Sequence, residues 1–366
     1  MYKEKRIFRS EFVPIRGLQY HVRIWDAANA ISASPANSAE PPQHAAGESG
    51  GDIPGKQGPQ NRLRRAAGAA APSGGSAVRE ATSVGATLSP LVLVHGWMDV
   101  GASYQFMVDA FSDAFAQGRT IIAPDWRGFG LTAPAADGHK VDSYYFADYL
   151  ADLDFLLDHY APDQQVDLLG HSMGGNVVMT YAGVRPERIR RLVNLEGFGQ
   201  PAISSDEAPG RYVTWMDELK SLQRGEKDLK AYDDVEGVAR RLMKTNPRLS
   251  KDKAHWLASH WASPNATGQW QILGDAAHKV VSANLYRVEE TLELYKRISM
   301  PLLAVEASDD SLGKWWKGQF TLAQYHERLQ LVPMAKVAVI QDAGHMLHHD
   351  RPEELAAMIE RFIQQT

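Results

Sequence analysis

Residues 166–176 read VDLLGHSMGGN. The run VDLL is short, apolar and β-branched at its start, as a buried strand requires, and NVVMTYAGV from Asn176 has the apolar spacing of a helix. Between them Gly170, Ser172 and Gly174 form GxSxG. Glycine permits tight dihedrals and close backbone approach, so a serine flanked in this way is displayed at a strained strand-to-helix turn. The helix that begins just after Ser172 would also aim backbone N–H groups and the positive end of its dipole at negative charge developing beside the hydroxyl.

Working outward, strand and helix signals alternate. Strands are predicted at LQYHVRIWD, PLVLVHGW, TIIAP, IRRLVNLEG, PLLAVEAS and KVAVIQDAG, and helices at YQFMVDAFSDAFA, YYFADYLADLDFLLDHY and PEELAAMIERFI. Short buried strands alternating with helices imply an α/β fold with a mostly parallel sheet and helices on both faces. Ligands then belong at the carboxyl ends of the strands. Residues 29–88 depart from this pattern, being rich in Ala, Gly, Ser and Pro, and are expected to form a disordered low-complexity insertion within one domain. The basic patch NRLRRAA lies inside it. The core is expected to comprise residues 1–28, 89–198 and 299–366, and a helical cap residues 199–298. Trp215, Trp256, Trp261, Trp270 and Tyr286 fall in the cap, where they could pack its core or line an apolar pocket.

Composition narrows the function. The chain has 366 residues, 44% hydrophobic and 23% charged, with a formal net charge of −5 and no cysteine. That balance offers no general attraction to nucleic acid or an anionic membrane, and it removes disulfides, thiolate nucleophiles and cysteine metal sites. MYKEKRIFRSEFVPIRG lacks the apolar stretch of a secretory signal, and no later run is long enough to span a bilayer, so a cytoplasmic location is expected. The histidines lack HExxH spacing, no carboxylate cluster reads as a cage, and GHSMGG lacks the lysine of a phosphate loop. Neither a metal nor a cofactor is expected. The sequence is silent on oligomeric state.

A serine hydroxyl needs a base and a group to orient that base. DAGHMLHHDRPEE places His345 between a strand and a helix near the end of the chain, where the base is expected; His348 and His349 are read as surface or supporting groups. For the acid, PLLAVEASDDSL offers Asp309 and Asp310 after a strand. Asp310 is favoured, since it stands three residues after Ala307 and leaves a short turn to carry its carboxylate beneath His345, while Asp309 is read as an exposed turn residue. Glu306 is read as a local acceptor within the strand. The oxyanion donors are expected to be the backbone N–H groups of Met173, following the serine, and Trp97, in the loop after LVLVHG. His95, Asp125 and Arg127 are read as structural.

HGW at 95–97, DWRGFG at 125–130, GHSMGG at 170–175, ASDD at 307–310 and DAGHMLHHDRPEE at 342–354 together resemble successive motifs of the α/β-hydrolase superfamily, most closely its serine-hydrolase-like, esterase-type branch. The resemblance runs from about Arg6 to the end, leaving out the insertion. It departs from the pattern at Ala307, which stands where a glycine often precedes the acid turn, and in the N-terminal linker. Relatives in that superfamily that displace halide or open epoxides use aspartate at the elbow, so Ser172 implies attack on an acyl carbonyl. The expected function is a serine hydrolase that cleaves a carboxylic ester of a small or medium apolar substrate through an acyl-enzyme on Ser172. The alternatives are the same triad acting as amidase, thioesterase, carbon–carbon bond hydrolase or cofactor-free perhydrolase, and a non-catalytic binding module.

Overall fold

Every residue of Leu91–Val94, Ile121–Pro124, Val166–His171 and Leu302–Ala307 is buried, as strands covered on both faces must be. The computed structural model describes residues 2–27, 88–134 and 141–365. The expected insertion at 29–88, with its basic patch, lies outside the described residues except for Leu88.

The strands are β1 Arg9–Ile15, β2 Leu18–Trp25, β3 Leu91–Val94, β4 Ile121–Pro124, β5 Ala133–Pro134, β6 Val166–His171, β7 Ile189–Leu195, β8 Ala231–Tyr232, β9 Ala262–Pro264, β10 Trp270–Ile272, β11 Leu302–Ala307 and β12 Ala335–Ile340. The helices are α1 Gln105–Ala110, α2 Asp113–Gln117, α3 Phe146–Tyr160, α4 Met173–Val184, α5 Ala208–Gln223, α6 Val235–Thr245, α7 Lys251–Trp261, α8 Val288–Tyr295, α9 Ser311–Trp316, α10 Leu322–Leu329, α11 Leu347–Asp350 and α12 Pro352–Gln364. The main sheet runs β1-β2-β4-β3-β6-β7-β11-β12, with β5 beside β2. From β4 to β12 every pairing is parallel, while β1, β2 and β5 add antiparallel pairings at one edge.

The period of two along the strands divides the core. Val92, Val94, Leu168, Leu192 and Ala304 face one layer, packed with Leu153 and Leu156 of α3, Val177 and Tyr181 of α4 and Tyr295 of α8. Their neighbours Leu91, Leu93, Leu169, Val193 and Leu303 face the other, with Met107 of α1, Phe115 of α2 and Leu355, Ile359 and Phe362 of α12. Each side chain of this size that is fully buried stabilises the fold by roughly 1.5–3 kcal/mol before ordering entropy is counted.

Three local features differ from the sequence reading. The helix expected over YQFMVDAFSDAFA is broken into α1 and α2, because Phe111 turns to an extended ψ of 148° and Ser112 caps α2 by accepting a bond from Phe115 N at 3.2 Å. The charged N-terminal stretch includes β1, whose alternation of exposed and buried residues suits an edge strand. Residues 199–298 hold α5 to α8, and with them an antiparallel sheet ordered β8-β10-β9. There Trp256 packs against Tyr2 and Phe106, and Trp261 and Trp270 lie against the same cluster. Among the described residues, no helix is long and apolar enough to cross a membrane.

Candidate active site

Ser172 sits between β6 and α4 with φ 54° and ψ −115°, a strained conformation for a residue with a side chain. The turn fits only because its neighbours are small. A Cβ on Gly170 would meet Gly174 O at 2.3 Å, and one on Gly174 would meet Val94 O at 2.2 Å, so α4 lies directly on the ends of β6 and β3. Ser172 N donates to Leu195 O at 2.8 Å, which fixes the elbow to β7.

His345 reaches the elbow from the loop after β12. Its Nε2 stands 3.0 Å from Ser172 Oγ, placed to accept the hydroxyl proton. Its Nδ1 stands 3.1 Å from Glu196 Oε2 and donates to it. The two favoured hydrogen bonds therefore fix one neutral tautomer, with the proton on Nδ1. Glu196 is almost wholly buried, follows the last residue of β7 and has φ 55°. Its Oε1 accepts from Ala307 N at 2.7 Å, its Oε2 also accepts from Ser311 Oγ, and its own N donates to Val305 O at 3.0 Å. The carboxylate is thus held by β11 and the start of α9 while it faces the imidazole.

This corrects the acid assignment. Asp310 is not the partner of His345 Nδ1; it is the N-cap of α9, and its Oδ1 accepts from Gly313 N at 2.7 Å. Asp309 pairs with Arg248 at 3.0 Å. The expected acid follows β11, one strand too far across the sheet; β7 lies between β6 and β11, so the end of β7 is nearer the serine. The sequence carried a signal for it: LVNLEGFG is an apolar strand that ends in a single carboxylate before a glycine, and Ser172, Glu196 and His345 keep the order nucleophile, acid, base.

Ser172 and His345 open onto a pocket of about 400 Å³, whose wall also contains Trp97 and Met173, the residues expected to supply the oxyanion donors. Met173 is the first residue of α4, so its N–H is one of those a helix leaves without an internal partner. The aromatic wall is made by Tyr144, Phe146, Tyr149, Phe198, Trp315 and Trp316. Of these none was singled out from sequence. Trp215, Trp256, Trp261, Trp270 and Tyr286 do not line this pocket.

Asp125, Arg127, His95 and Glu306 are committed to other partners. Asp125 binds Arg23 at 2.7 Å and His21 at 2.8 Å, and Arg127 binds Asp152 at 2.6 Å. His95 Nε2 accepts from Trp126 N at 2.9 Å, and burial pushes its pKa down to about 4. Glu306 binds His326 at 2.6 Å. His348 and His349, read as surface or supporting groups, are both buried.

Residues 89–352 match the model of the alpha/beta hydrolase fold family. A serine hydrolase-like protein of Danio rerio is 23% identical over 75% of this chain and 81% of its own length. A 2-hydroxymuconate semialdehyde hydrolase of Pseudomonas putida is 26% identical over 75% of this chain and 86% of its own. Among solved structures, the thioesterase domain from the curacin biosynthetic pathway superposes with a TM-score of 0.67 at 21% identity, covering 96% of this chain and 99% of that one, a likeness of fold.

Proposed function

The chain belongs to the alpha/beta hydrolase fold family, and from that premise we propose that it is a serine hydrolase cleaving a carboxylic ester of a small or medium apolar substrate. The observation that carries this reading is the continuous relay from Ser172 Oγ through His345 to Glu196 at the base of the pocket, with separations of 3.0 Å and 3.1 Å. His345 Nε2 takes the Ser172 proton as Oγ attacks the acyl carbonyl, and Glu196 stabilises the imidazolium that forms. The backbone N–H groups of Met173 and Trp97 receive the oxyanion. The imidazolium then gives its proton to the leaving alkoxide, and the alcohol departs. Water enters, His345 removes its proton as the oxygen attacks the acyl carbon, and the imidazolium returns that proton to Ser172 Oγ as the C–Oγ bond breaks and the carboxylic acid leaves.

The substrate class is argued from the wall of the pocket. Aromatic rings from the loop before α3, from α3, from the loop after β7 and from α9 surround the serine, which favours an apolar acyl or alkyl group. Thioesters, amides, activated carbon–carbon bonds and peracid formation call on the same three side chains. A panel of esters, thioesters and anilides with matched acyl chains separates these uses. The expected result is highest kcat/KM on apolar esters, with the activity lost in Ser172→Ala. Preference for a thioester or anilide would move the assignment to that class, and no turnover on any acyl donor would contradict the reading.

A further inference from the structure

Directly beneath the elbow lies a group of polar side chains that the acyl-transfer steps do not use. Asp99, His171 and His348 are all buried, and each offers a ligand atom within 4.8 Å of those of the other two. Their hydrogen bonds leave the group short of positive charge. Asp99 Oδ1 accepts from Ser103 Oγ, whereas Asp99 Oδ2 has no partner. His171 Nε2 donates its proton to His345 O at 2.7 Å, so His171 Nδ1 is a bare lone pair, and it too has no partner. Both ring nitrogens of His348 are unpartnered. Burial holds the His171 and His348 imidazoles in the neutral state, well below their ordinary range, and pushes Asp99 up to about 6.

An interior carboxylate oxygen and two imidazoles whose lone pairs have no donor are costly when left alone, and each is a good ligand for a borderline cation. The bond from His171 Nε2–H to a backbone carbonyl is also the arrangement that orients a metal-ligating imidazole. We propose that Asp99, His171 and His348 bind one divalent transition-metal cation of the zinc type, with an open fourth position. Ligands at 2.0–2.1 Å from a tetrahedral ion stand roughly 3.3 Å apart, so the three groups need to close by about 1.5 Å at most. His348, which has no hydrogen bond to break, can turn to do so.

The position of the site gives it a structural consequence. Asp99 is two residues after Trp97, His171 immediately precedes Ser172, and His348 is three residues after His345. One ion would therefore join the loop after β3, the end of β6 and the start of α11, and through His171 it would hold the carbonyl of His345. This is a claim about binding and does not depend on the substrate or on hydrolysis.

The test uses the full chain, purified from zinc-supplemented growth, and the same chain refolded with cobalt(II). Metal content after exhaustive dialysis is expected to be about one ion per chain, and cobalt is expected to give the strong visible absorption of a four-coordinate nitrogen–oxygen site. His348→Phe, which keeps a ring against Tyr104, should remove the ion, and Asp99→Asn should weaken binding about tenfold or more. Anomalous diffraction at the cobalt edge should place the ion between these side chains. Absence of stoichiometric metal in both wild-type preparations overturns the proposal, as does an ion located elsewhere or full retention in the folded variants. If either variant fails to fold, the wild-type metal content and anomalous peak decide.

Discussion

Glu196 reaches His345 from a backbone position with φ 55°, a conformation that costs a residue with a side chain free energy and persists because Ala307 N, Ser311 Oγ and His345 Nδ1 all converge on its carboxylate. Asp310, at the end of β11, the next strand in the sheet, satisfies a helix end instead. The two carboxylates therefore respond differently to loss of charge. Glu196→Gln places a neutral amide against the imidazole, unsettling its tautomer and removing the charge that stabilises its protonated form, and ester turnover should fall by roughly 10³- to 10⁴-fold. Asn caps a helix about as well as Asp, so Asp310→Asn should leave both turnover and melting temperature nearly unchanged. Steady-state kinetics on the two purified variants check the order, and greater damage from Asp310→Asn would restore the acid expected from sequence.

At the scale of elements, the strand-to-helix alternation was readable because parallel strands buried on both faces leave continuous apolar runs, as at LVLV, IIAP and VDLLG. Ser172 lies where one such run stops, whereas His345 follows the edge strand β12, of which only Ile340 is buried, and its place between a strand pattern and a helix pattern is what marked it. Glu196 was not legible, because only tertiary packing shows which strand end faces the imidazole. The aromatic wall was unreadable too. Phe146 and Tyr149 lie on α3 and Trp315 and Trp316 on α9, elements whose sequence separation from Ser172 gives no sign of their proximity. Beside that wall His278 is stacked between Phe129 and Tyr144, at 3.8 Å and 3.7 Å, tying the residues that follow β4 to those that precede α3. Burial lowers its pKa to about 3. The unfolded chain, with histidine near ~6.5, binds this proton first, so stability falls as pH drops below the unfolded value, by about 1.4 kcal/mol per pH unit until the folded value is reached. His278→Phe retains a stacking ring and removes the titration. Urea unfolding at pH 7 and pH 5 should show a smaller loss on acidification in the variant, by about 2 kcal/mol; equal losses would mean that the imidazole is not held neutral by burial.

For the molecule as a whole, the sheet order sets what can meet. β6 stands between β3 and β7, so the loop carrying Trp97, the elbow carrying Ser172 and the turn carrying Glu196 emerge side by side from parallel strand ends. β11 follows β7, and β12 follows β11 at the edge and sends His345 back across the strand ends to the serine. A buried pairing of Asp125 with Arg23 holds β2 to the loop after β4 on the far side of the site. This arrangement brings Ser172, His345 and Glu196 together from three separate stretches of chain, and the proposed function requires them to act together as nucleophile, base and acid on an acyl group. Intact-protein mass spectrometry after treatment with a fluorophosphonate tests that requirement most directly. One phosphonyl adduct per chain is expected, mapped by peptide digestion to Ser172 and absent from folded Ser172→Ala, with labelling slowed severely in His345→Ala. An unlabelled wild-type chain, or an adduct that persists in Ser172→Ala, would contradict it.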